Sequence, residues 1–416
     1  MLARLVSHGA RGVRGRRLGG TRAGEIRFTR PLGNPAVTLA EMIATGFART
    51  QAACAGRDVL AVQGTTVTRS SGGRGSYLHA MIAVDAASGV VPGPLDAQFL
   101  ERSEGLKASR RARSFEERQS ARWLDGAQCA GRIGGAAQVT VVANREADIF
   151  DLFARRPARV DLIIRAMRDR ALIGGGRLAA RIASGPRPGQ AALDLPARPG
   201  RAARAAALTI RFGHVSLRPP GKGNKINAVP QQVTYADLRE KTPPDGTTPV
   251  HWRLLTTRKV ETVADALDIA ARYARRWQIE EVFRSMTRKG VDIEALAIRD
   301  EAPRNRLILA RFIAACVVMQ MTAERDGPRD GLSLRPLTDA FDPGDRTLLE
   351  ALSHDLQGRT MRQKTPHPRA ASPSPPGSVQ GLAAGPATAA NPAPSSSCEG
   401  GSNSRPSSTA PPWPNA

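Results

Sequence analysis

Apolar residues recur along the first half of the chain in two periods, which divide residues 57–190 into strands and helices. Four runs rich in β-branched or alternating apolar residues predict strands: DVLAVQGTTVT, SYLHAMIAVDAASG, QVTVVA and VDLIIRAM. Helical spacing occurs in SFEERQSARWLDGAQCAGRI and in DIFDLFARR. Strands that alternate with helices predict an α/β fold, whose strands present polar chemistry at their carboxyl ends.

The second half of the chain changes its pattern twice. From about residue 191 to 260, short strands such as AALTIRFGHVSL and VHWRLLTT alternate with Pro/Gly loops, which predicts a β-rich insertion. Helical spacing resumes in TVADALDIAARYARRWQIEEVFRSMTRKG, so residues 261–360 are interpreted as the second part of the core that residues 57–190 begin. The apolar run Leu307–Met321 is too short for a membrane span and contains Arg311, which favours a core helix.

The two ends of the chain differ from its middle in composition. Residues 1–33 contain eight Arg and one acid, which predicts a disordered basic N-terminus, and residues 34–56 have helical spacing that predicts a helical N-terminal remnant. No apolar segment follows the arginines, so export is not expected. After Lys364 proline and serine dominate, and residues 361–416 are predicted to be a disordered tail.

The charge of the chain points to a polyanionic partner. Its formal net charge is +24, with an isoelectric point near 11.3, and such a surplus is typical of nucleic-acid binding. A solvated basic surface, encoded in a GC-rich genome where Arg replaces Lys, is the alternative. The four cysteines are widely separated and include no CxxC pair, which fits a reducing cytoplasm and favours neither a zinc site nor a disulfide framework.

One helical segment concentrates polar side chains on a single stripe. At about 100° per residue, the stripe spans roughly 80° beside an apolar face. Its members are Tyr273, Arg276, Glu280, Arg284 and Thr287. Taken alone, a Glu with Arg at four residues on either side is more often a solvated ladder of ion pairs than a functional site.

Several motifs together resemble one enzyme family. The segment YARRWQIEEVF, residues 273–283, resembles part of the YREK motif of bacterial DDE transposases of the insertion-sequence-four family. AVQGTT at residues 61–66 resembles the first-strand motif of that family, which ends in Asp-Thr-Thr, and VVANREADI resembles its second, with Asp-Arg-Glu-Ala-Asp-Ile. HWRLLT resembles the insertion segment with a base-stacking Trp, and Trp252 precedes Tyr273 by 21 residues, as in the family.

The resemblance implies a fold, a cofactor and partners. It implies a ribonuclease-H-like mixed sheet flanked by helices, on which three carboxylates hold two Mg²⁺ ions, or Mn²⁺, for cut-and-paste cleavage and strand transfer. The partners would be double-stranded DNA at the terminal repeats of an insertion sequence and a second copy of the chain in a synaptic homodimer. Glu280 would be the third carboxylate, with Tyr273, Arg276 and Arg284 beside it handling phosphate.

The same resemblance assigns residues to DNA. Trp252 would stack on an extruded base, although a core Trp of the insertion is the alternative reading. Arg165 lies where the family has a DNA-contacting Arg; taken alone, it would be read as a surface charge. Arg288 and Lys289 follow Thr287, which occupies the position of the final Lys of the motif, and supply basic side chains there.

The chain departs from the family at the positions that matter most for chemistry. Gly64 stands at the first carboxylate position and Asn144 at the second, so only Glu280 remains. Glycine offers no ligand, and the Asn carbonyl is a weak ligand that cannot offset the charge of two adjacent cations. Glu146 and Asp148 are candidate replacements, but a shift of one residue at a strand end turns a side chain to the other face.

The tail also departs from the family. GRTMRQKTPHP resembles the last in-frame segment of the family, whereas the sequence beyond about residue 368 does not continue the resemblance. We interpret the tail as the product of a frameshift, a hypothesis that translation of the other reading frames tests.

The sequence thus predicts a cytoplasmic DNA transposase by descent whose copy is catalytically impaired. Two alternatives stay open. One is an inactive protein that recognises element ends and inhibits active transposase. It would use Arg165, Trp252, Tyr273, Arg276 and the basic cluster RRAR at residues 110–113. The other is a product that barely folds, because the altered tail would leave apolar surface uncovered.

Overall fold

The computed structural model describes residues 21–71, 74–102, 120–185, 189–195, 204–220, 229–247, 249–287, 298 and 300–325. The chain divides into two units after Gln320, and the elements of the first unit form the fold. The predicted disorder of residues 1–20 and of the tail at 361–416 lies outside the described residues.

Nine strands of the described residues form one mixed sheet. In chain order they are β1 Asp58–Ser71, β2 Arg74–Asp85, β3 Gly93–Arg102, β4 Gln138–Ala143, β5 Val160–Arg165, β6 Gly189–Leu195, β7 Arg204–Leu217, β8 Gln231–Glu240 and β9 His251–Thr256. Their order across the sheet is β3-β2-β1-β4-β5-β9-β8-β7-β6. Strands β1, β4 and β5 are parallel neighbours, and every other pair is antiparallel.

Eight α-helices lie within the described residues. They are α1 Arg22–Gly33, α2 Leu39–Ala53, α3 Ala121–Ala130, α4 Phe150–Arg155, α5 Leu178–Ala183, α6 Val263–Ala274, α7 Trp277–Thr287 and α8 Glu301–Arg325. Within the described ranges, no helix combines the length and the apolar content that a bilayer span requires.

Alternate residues of each strand feed two separate cores. On β1, Leu60 and Val62 belong to a core that also contains side chains of α6, α7 and α8. Val59 and Ala61 belong to a second core on the opposite face, which contains side chains of α3, α4 and α5. The period of two in the sequence therefore reflects a sheet that is covered by helices on both faces.

This architecture confirms the predicted ribonuclease-H-like fold. The order β3-β2-β1-β4-β5, with a parallel β1-β4-β5 centre, is followed by four strands of the β-rich insertion. The insertion does not form a sheet of its own, because β9 pairs with β5 through Ile163 and Arg165 and extends the sheet.

The predicted disorder of residues 1–33 is wrong for residues 22–33, which form α1. The Thr21 hydroxyl accepts a hydrogen bond from Gly24 N and caps the helix. Arg306 of α8 donates to the Leu32 carbonyl at 2.7 Å and holds the other end. The amino-acid composition did not predict this helix, because it does not record the capping hydrogen bond of Thr21 or the tertiary hydrogen bond from Arg306.

A second correction concerns the helix predicted to run from Thr262 to Gly290. In the structure α6 ends at Ala274 and α7 begins at Trp277. Between them the backbone forms 3₁₀-type hydrogen bonds, in which each N–H donates to the carbonyl three residues earlier. These bonds run from Arg276 N to Tyr273 O, from Gln278 N to Arg275 O and from Ile279 N to Arg276 O. The expected stripe of polar side chains, which assumed a uniform 100° per residue, is interrupted at this turn.

Candidate catalytic edge of the sheet

The strand register brings the first two carboxylate positions of the predicted site together. β1 and β4 pair in parallel up to Val62 and Val142, and Gly64 and Asn144 each lie two residues further along the chain. Val62 and Val142 both face the core that contains α7. Because side chains alternate along a strand, position 64 is directed toward the same face, where Ile279 and Phe283 of α7 pack. Asn144 directly follows the last residue of β4, and Glu280 follows Ile279 in α7.

At Gly64, side chains of α7 occupy the position that a larger residue would need. A Cβ atom on Gly64 would lie 3.0 Å from Cγ2 of Ile279 and 3.1 Å from Cε2 of Phe283. Both distances are shorter than ordinary carbon contacts. Any side chain at this position, including a carboxylate, would therefore require Ile279 and Phe283 to move by a few tenths of an ångström.

Asn144 acts as a backbone cap. Its Oδ1 atom accepts a hydrogen bond from Glu146 N at 3.0 Å and caps the 3₁₀ turn Arg145–Ala147. An Asn side chain at the end of a strand commonly caps a turn in this way. The oxygen predicted to face a metal ion is thus engaged with the backbone.

Glu280 is paired with an arginine. Arg276 Nη1 lies 2.8 Å from Glu280 Oε1, and the side chains are 8% and 37% exposed. Arg284, which the sequence placed on the same stripe, instead forms an ion pair with Glu281 and lies over the Trp277 ring at 5.7 Å. The structure therefore joins Arg276 to Glu280 and directs Arg284 to a neighbouring pair.

Trp252 and Tyr273 meet in the core. Each is 2% exposed, and their rings pack edge to face with centroids 5.5 Å apart. The separation of 21 residues thus brings the two rings into contact. The burial of Trp252 agrees with the alternative reading of a core Trp, because its indole is covered by protein in this conformation.

Arg165 is a buried arginine at the end of β5. Its Nη2 donates to the His251 carbonyl at 3.1 Å, and its side chain is buried. Burial lowers the pKa of its guanidinium, Tyr273 opposes that change, and the charges of Arg145 and Arg276 lower the pKa further. Arg165 and Arg276 are both buried, so Arg145 is the member of this group whose charge is exposed to a polyanion.

The two candidate replacement carboxylates are engaged elsewhere. Glu146 is exposed and forms an ion pair of 2.8 Å with Arg122 in the first turn of α3. Asp148 is fully buried and accepts hydrogen bonds from Met167 N and Arg168 N, each at 2.8 Å, and from Arg170. Neither carboxylate substitutes for those missing at positions 64 and 144.

Two features of this edge were not identified in the sequence. Asp148 is one, because its role as a structural brace depends on partners some 20 residues away. The other is a buried polar chain in which His79 Nδ1 contacts Thr65 Oγ1 at 2.9 Å and His79 Nε2 contacts Gln63 Oε1 at 3.1 Å. The only sequence feature that pointed to these buried polar contacts was the presence of polar residues inside the strand DVLAVQGTTVT.

The donors at this edge do not fit a site for two Mg²⁺ ions. Glycine supplies no ligand, Asn144 supplies one oxygen already bound to a backbone N–H, and Glu280 is paired with Arg276. Among the described residues, no three His, Cys, Asp or Glu side chains lie close enough together to hold a metal ion. Arg288 and Lys289 and the side chain of Thr287 lie outside the described residues.

Comparison with known families identifies part of the chain. The family model described as "Transposase DDE domain" matches residues 155–317, from the end of α4 into α8. The match includes Trp252, Tyr273, Arg276 and Glu280 and begins beyond Gly64 and Asn144. It supports a DDE transposase, a class that acts on DNA and depends in general on a divalent metal ion.

Proposed function

We propose that this chain is a DDE transposase of the insertion-sequence-four family that has lost strand cleavage and keeps DNA binding. The observation that supports the loss is the state of the three positions that the family resemblance assigns to carboxylates. Position 64 is a glycine packed against α7, position 144 is an amide that caps a turn, and position 280 is a glutamate paired with Arg276. The YREK-like segment is interrupted by the turn at Arg275 and Arg276, but it still pairs Arg276 with Glu280.

The chemistry explains why these replacements are decisive. Cleavage of a phosphodiester by two metal ions requires anionic oxygen ligands that hold two hard cations close together. A single carboxylate cannot balance that charge. In addition, Arg276 at 2.8 Å places a positive charge against the one carboxylate that remains. We therefore expect neither Mg²⁺ nor Mn²⁺ to support cleavage by the unmodified chain.

DNA binding rests on different groups, which are present. The chain has a net charge of +24, and Arg145, Arg165 and Arg276 lie near one another at the same edge. Binding through arginine and phosphate releases counterions, so the affinity should fall steeply as salt concentration rises. Terminal-repeat DNA is the proposed partner, and a cytoplasmic, nucleoid-associated location follows from that partner.

A second candidate function is inhibition of an active transposase. A chain that keeps the fold and the arginines but lacks the carboxylates could occupy element ends or enter a mixed dimer with an active copy. The intact core around Trp252 and Tyr273 supports this candidate, because it maintains the surface next to Glu280.

The proposed function is tested by reverting the two positions. The substrates are supercoiled plasmid and DNA that carries the sequences flanking the gene, each in Mg²⁺ and in Mn²⁺. The proteins are the unmodified chain and the G64D/N144D variant, each with and without E280Q. We expect cleavage only by G64D/N144D, together with salt-dependent DNA binding by all four.

Cleavage by the unmodified chain that E280Q abolishes would overturn the proposed loss of activity. Absence of DNA binding by the unmodified chain at low salt would overturn the retained binding function. The E280Q control separates cleavage at this edge from contaminating nuclease, because it alters one ligand and leaves the fold in place.

A further inference from the structure

The segment that follows β5 exposes an unusual side chain. Met167 is 67% exposed, the largest value among the large hydrophobic side chains of the described residues. It lies two residues after Arg165, at the carboxyl end of β5, which is the edge of the sheet that also carries Gly64 and Asn144. Arg168, next in the chain, is exposed as well.

A buried carboxylate fixes the backbone at this point. Oδ2 of Asp148 accepts hydrogen bonds from Met167 N and from Arg168 N, both at 2.8 Å. Oδ1 of Asp148 accepts from Arg170 Nε at 2.8 Å, and the Asp148 side chain is 0% exposed. Hydrogen bonds to a charged acceptor are among the stronger ones, so Met167 and Arg168 project from a rigid base.

The segment is also anchored beyond Arg168. Leu172 is buried in the second core and forms an isolated bridge with Leu217. Asp169 Oδ1 accepts a hydrogen bond from Ala179 N at 2.7 Å near the start of α5. A rigid segment that nevertheless leaves a methionine in water has an apolar side chain available for a partner.

The surrounding charge indicates which partner. Arg168 is adjacent to Met167 and exposed, and Arg145, which acts on the charge of Arg165, is exposed as well. Exposed guanidiniums favour phosphate. Proteins that distort duplex DNA place arginine against the backbone and insert an apolar side chain, methionine included, between base steps.

We propose that Met167 is an apolar wedge that inserts at an unstacked base step of duplex DNA, while Arg168 holds the adjacent phosphate. The inference rests on the proposed DNA binding and adds a contact that favours distorted DNA over regular duplex. Asp148 serves as the positioning residue of this contact, because its carboxylate accepts hydrogen bonds from the backbone N–H groups of Met167 and Arg168.

The test compares Met167→Ala and Met167→Leu with Ile26→Ala, which alters an exposed apolar side chain of α1 that is 49% exposed. The probe is a short duplex with 2-aminopurine beside a single mismatch, together with its fully paired counterpart. Affinity and fluorescence are measured with the full chain in EDTA, so that cleavage plays no part.

For the unmodified chain and for Met167→Leu, we expect tighter binding to the mismatched duplex and a rise in 2-aminopurine fluorescence. Met167→Ala should lose about five- to tenfold of the preference for the mismatch, while binding of the paired duplex changes by less than about twofold. Ile26→Ala should behave as the unmodified chain. Because Met167 is exposed, its replacement should leave the melting temperature unchanged.

An equal preference in Met167→Ala and the unmodified chain would overturn the wedge and leave the proposed DNA binding intact. A uniform loss of affinity for both duplexes in Met167→Ala would also overturn it, because a wedge acts on distorted DNA. If the unmodified chain bound neither duplex at low salt, both the proposed function and this inference would be wrong.

Discussion

Positions 144 and 148, four residues apart, differ in the side chain they carry and in what that side chain does. At 144 the carboxylate expected from the family motif is replaced by an amide, whereas at 148 a buried Asp is kept with backbone and arginine donors around it. The first position would serve a metal ion and the second serves the fold. Asp148 stabilises the structure through these contacts, and under the proposed function position 144 is where an acid needed only for chemistry has been lost.

Electrostatics explains why the fold tolerates this difference. Carboxylates gathered to bind cations repel one another when no metal is bound, so their loss removes an unfavourable interaction. Asp148, in contrast, offsets the charge of Arg170 and satisfies two backbone N–H groups in a buried place. Removing it would leave a buried arginine without that partner.

The largest expected effect is on Asp148. We expect Asp148→Ala to lower the free energy of unfolding by about 3–5 kcal/mol, because it breaks a buried ion pair by removing one partner. Urea unfolding monitored by tryptophan fluorescence measures this change. Glu146→Ala is the matched control, since the Glu146 side chain is 58% exposed in its pair with Arg122 and should contribute less than about 1 kcal/mol. Equal effects of the two substitutions would refute the distinction between a structural acid and a surface acid.

The next effect concerns pH and the polar chain beside Gly64. Gln63 Nε2 donates to the Trp123 carbonyl, so Gln63 Oε1 accepts from His79 Nε2–H, and the neutral ring accepts from the Thr65 hydroxyl at Nδ1. Burial and, to a smaller extent, the charge of Arg122 lower the pKa of His79 to about 3. The unfolded state binds a proton near pH 6.5 and the folded state does not, so stability is full above pH 6.5 and decreases as the pH falls toward 3.

We expect a slope of up to roughly 1.4 kcal/mol per pH unit below pH 6.5 from this one group. The window from pH 6.5 to about 4.5 is diagnostic, because the acids Asp85, Asp237 and Glu240, whose pKa values are lowered, contribute only below it. The difference in unfolding free energy between the unmodified chain and His79→Leu should shrink across this window. A constant difference would show that His79 is protonated in the folded state.

The smallest expected effect is at Gly64 itself. A Cβ there would meet Ile279 and Phe283 at 3.0–3.3 Å, so we expect Gly64→Ala to destabilise the fold by about 1 kcal/mol through overpacking. Combining it with Phe283→Leu should relieve the contact and leave a coupling of at least about 0.5 kcal/mol in a double-mutant cycle. Strict additivity of the two changes would contradict the packing of α7 against this glycine.

Much of the fold could be predicted because local patterns determined it. Period-two alternation in β1 and the β-branched run of β4 reflect burial on two faces, and the structure buries Leu60 and Val59 in separate cores as that pattern requires. Strand register likewise places Gly64 and Asn144 each two residues beyond the last paired positions of β1 and β4. These features depend on neighbours in sequence or on strand register.

Other features depend on tertiary contacts that no local pattern records. The turn at Arg275 and Arg276 occurs inside a continuous helical period, where Tyr273 packs against Trp252. The brace between Asp148 and Arg170 joins residues 22 positions apart. Arg284 could have paired with Glu280 or with Glu281 by spacing alone; in the structure Glu280 is paired with Arg276, and Arg284 pairs with Glu281.

The most direct measurement is a titration of Mn²⁺ into metal-free protein, with bound Mn²⁺ followed by electron paramagnetic resonance. We predict no Mn²⁺ binding that depends on Glu280 in the unmodified chain, and Mn²⁺ binding in G64D/N144D that E280Q removes. Stoichiometric binding by the unmodified chain that E280Q abolishes would contradict the central claim that this edge of the sheet has lost its metal site.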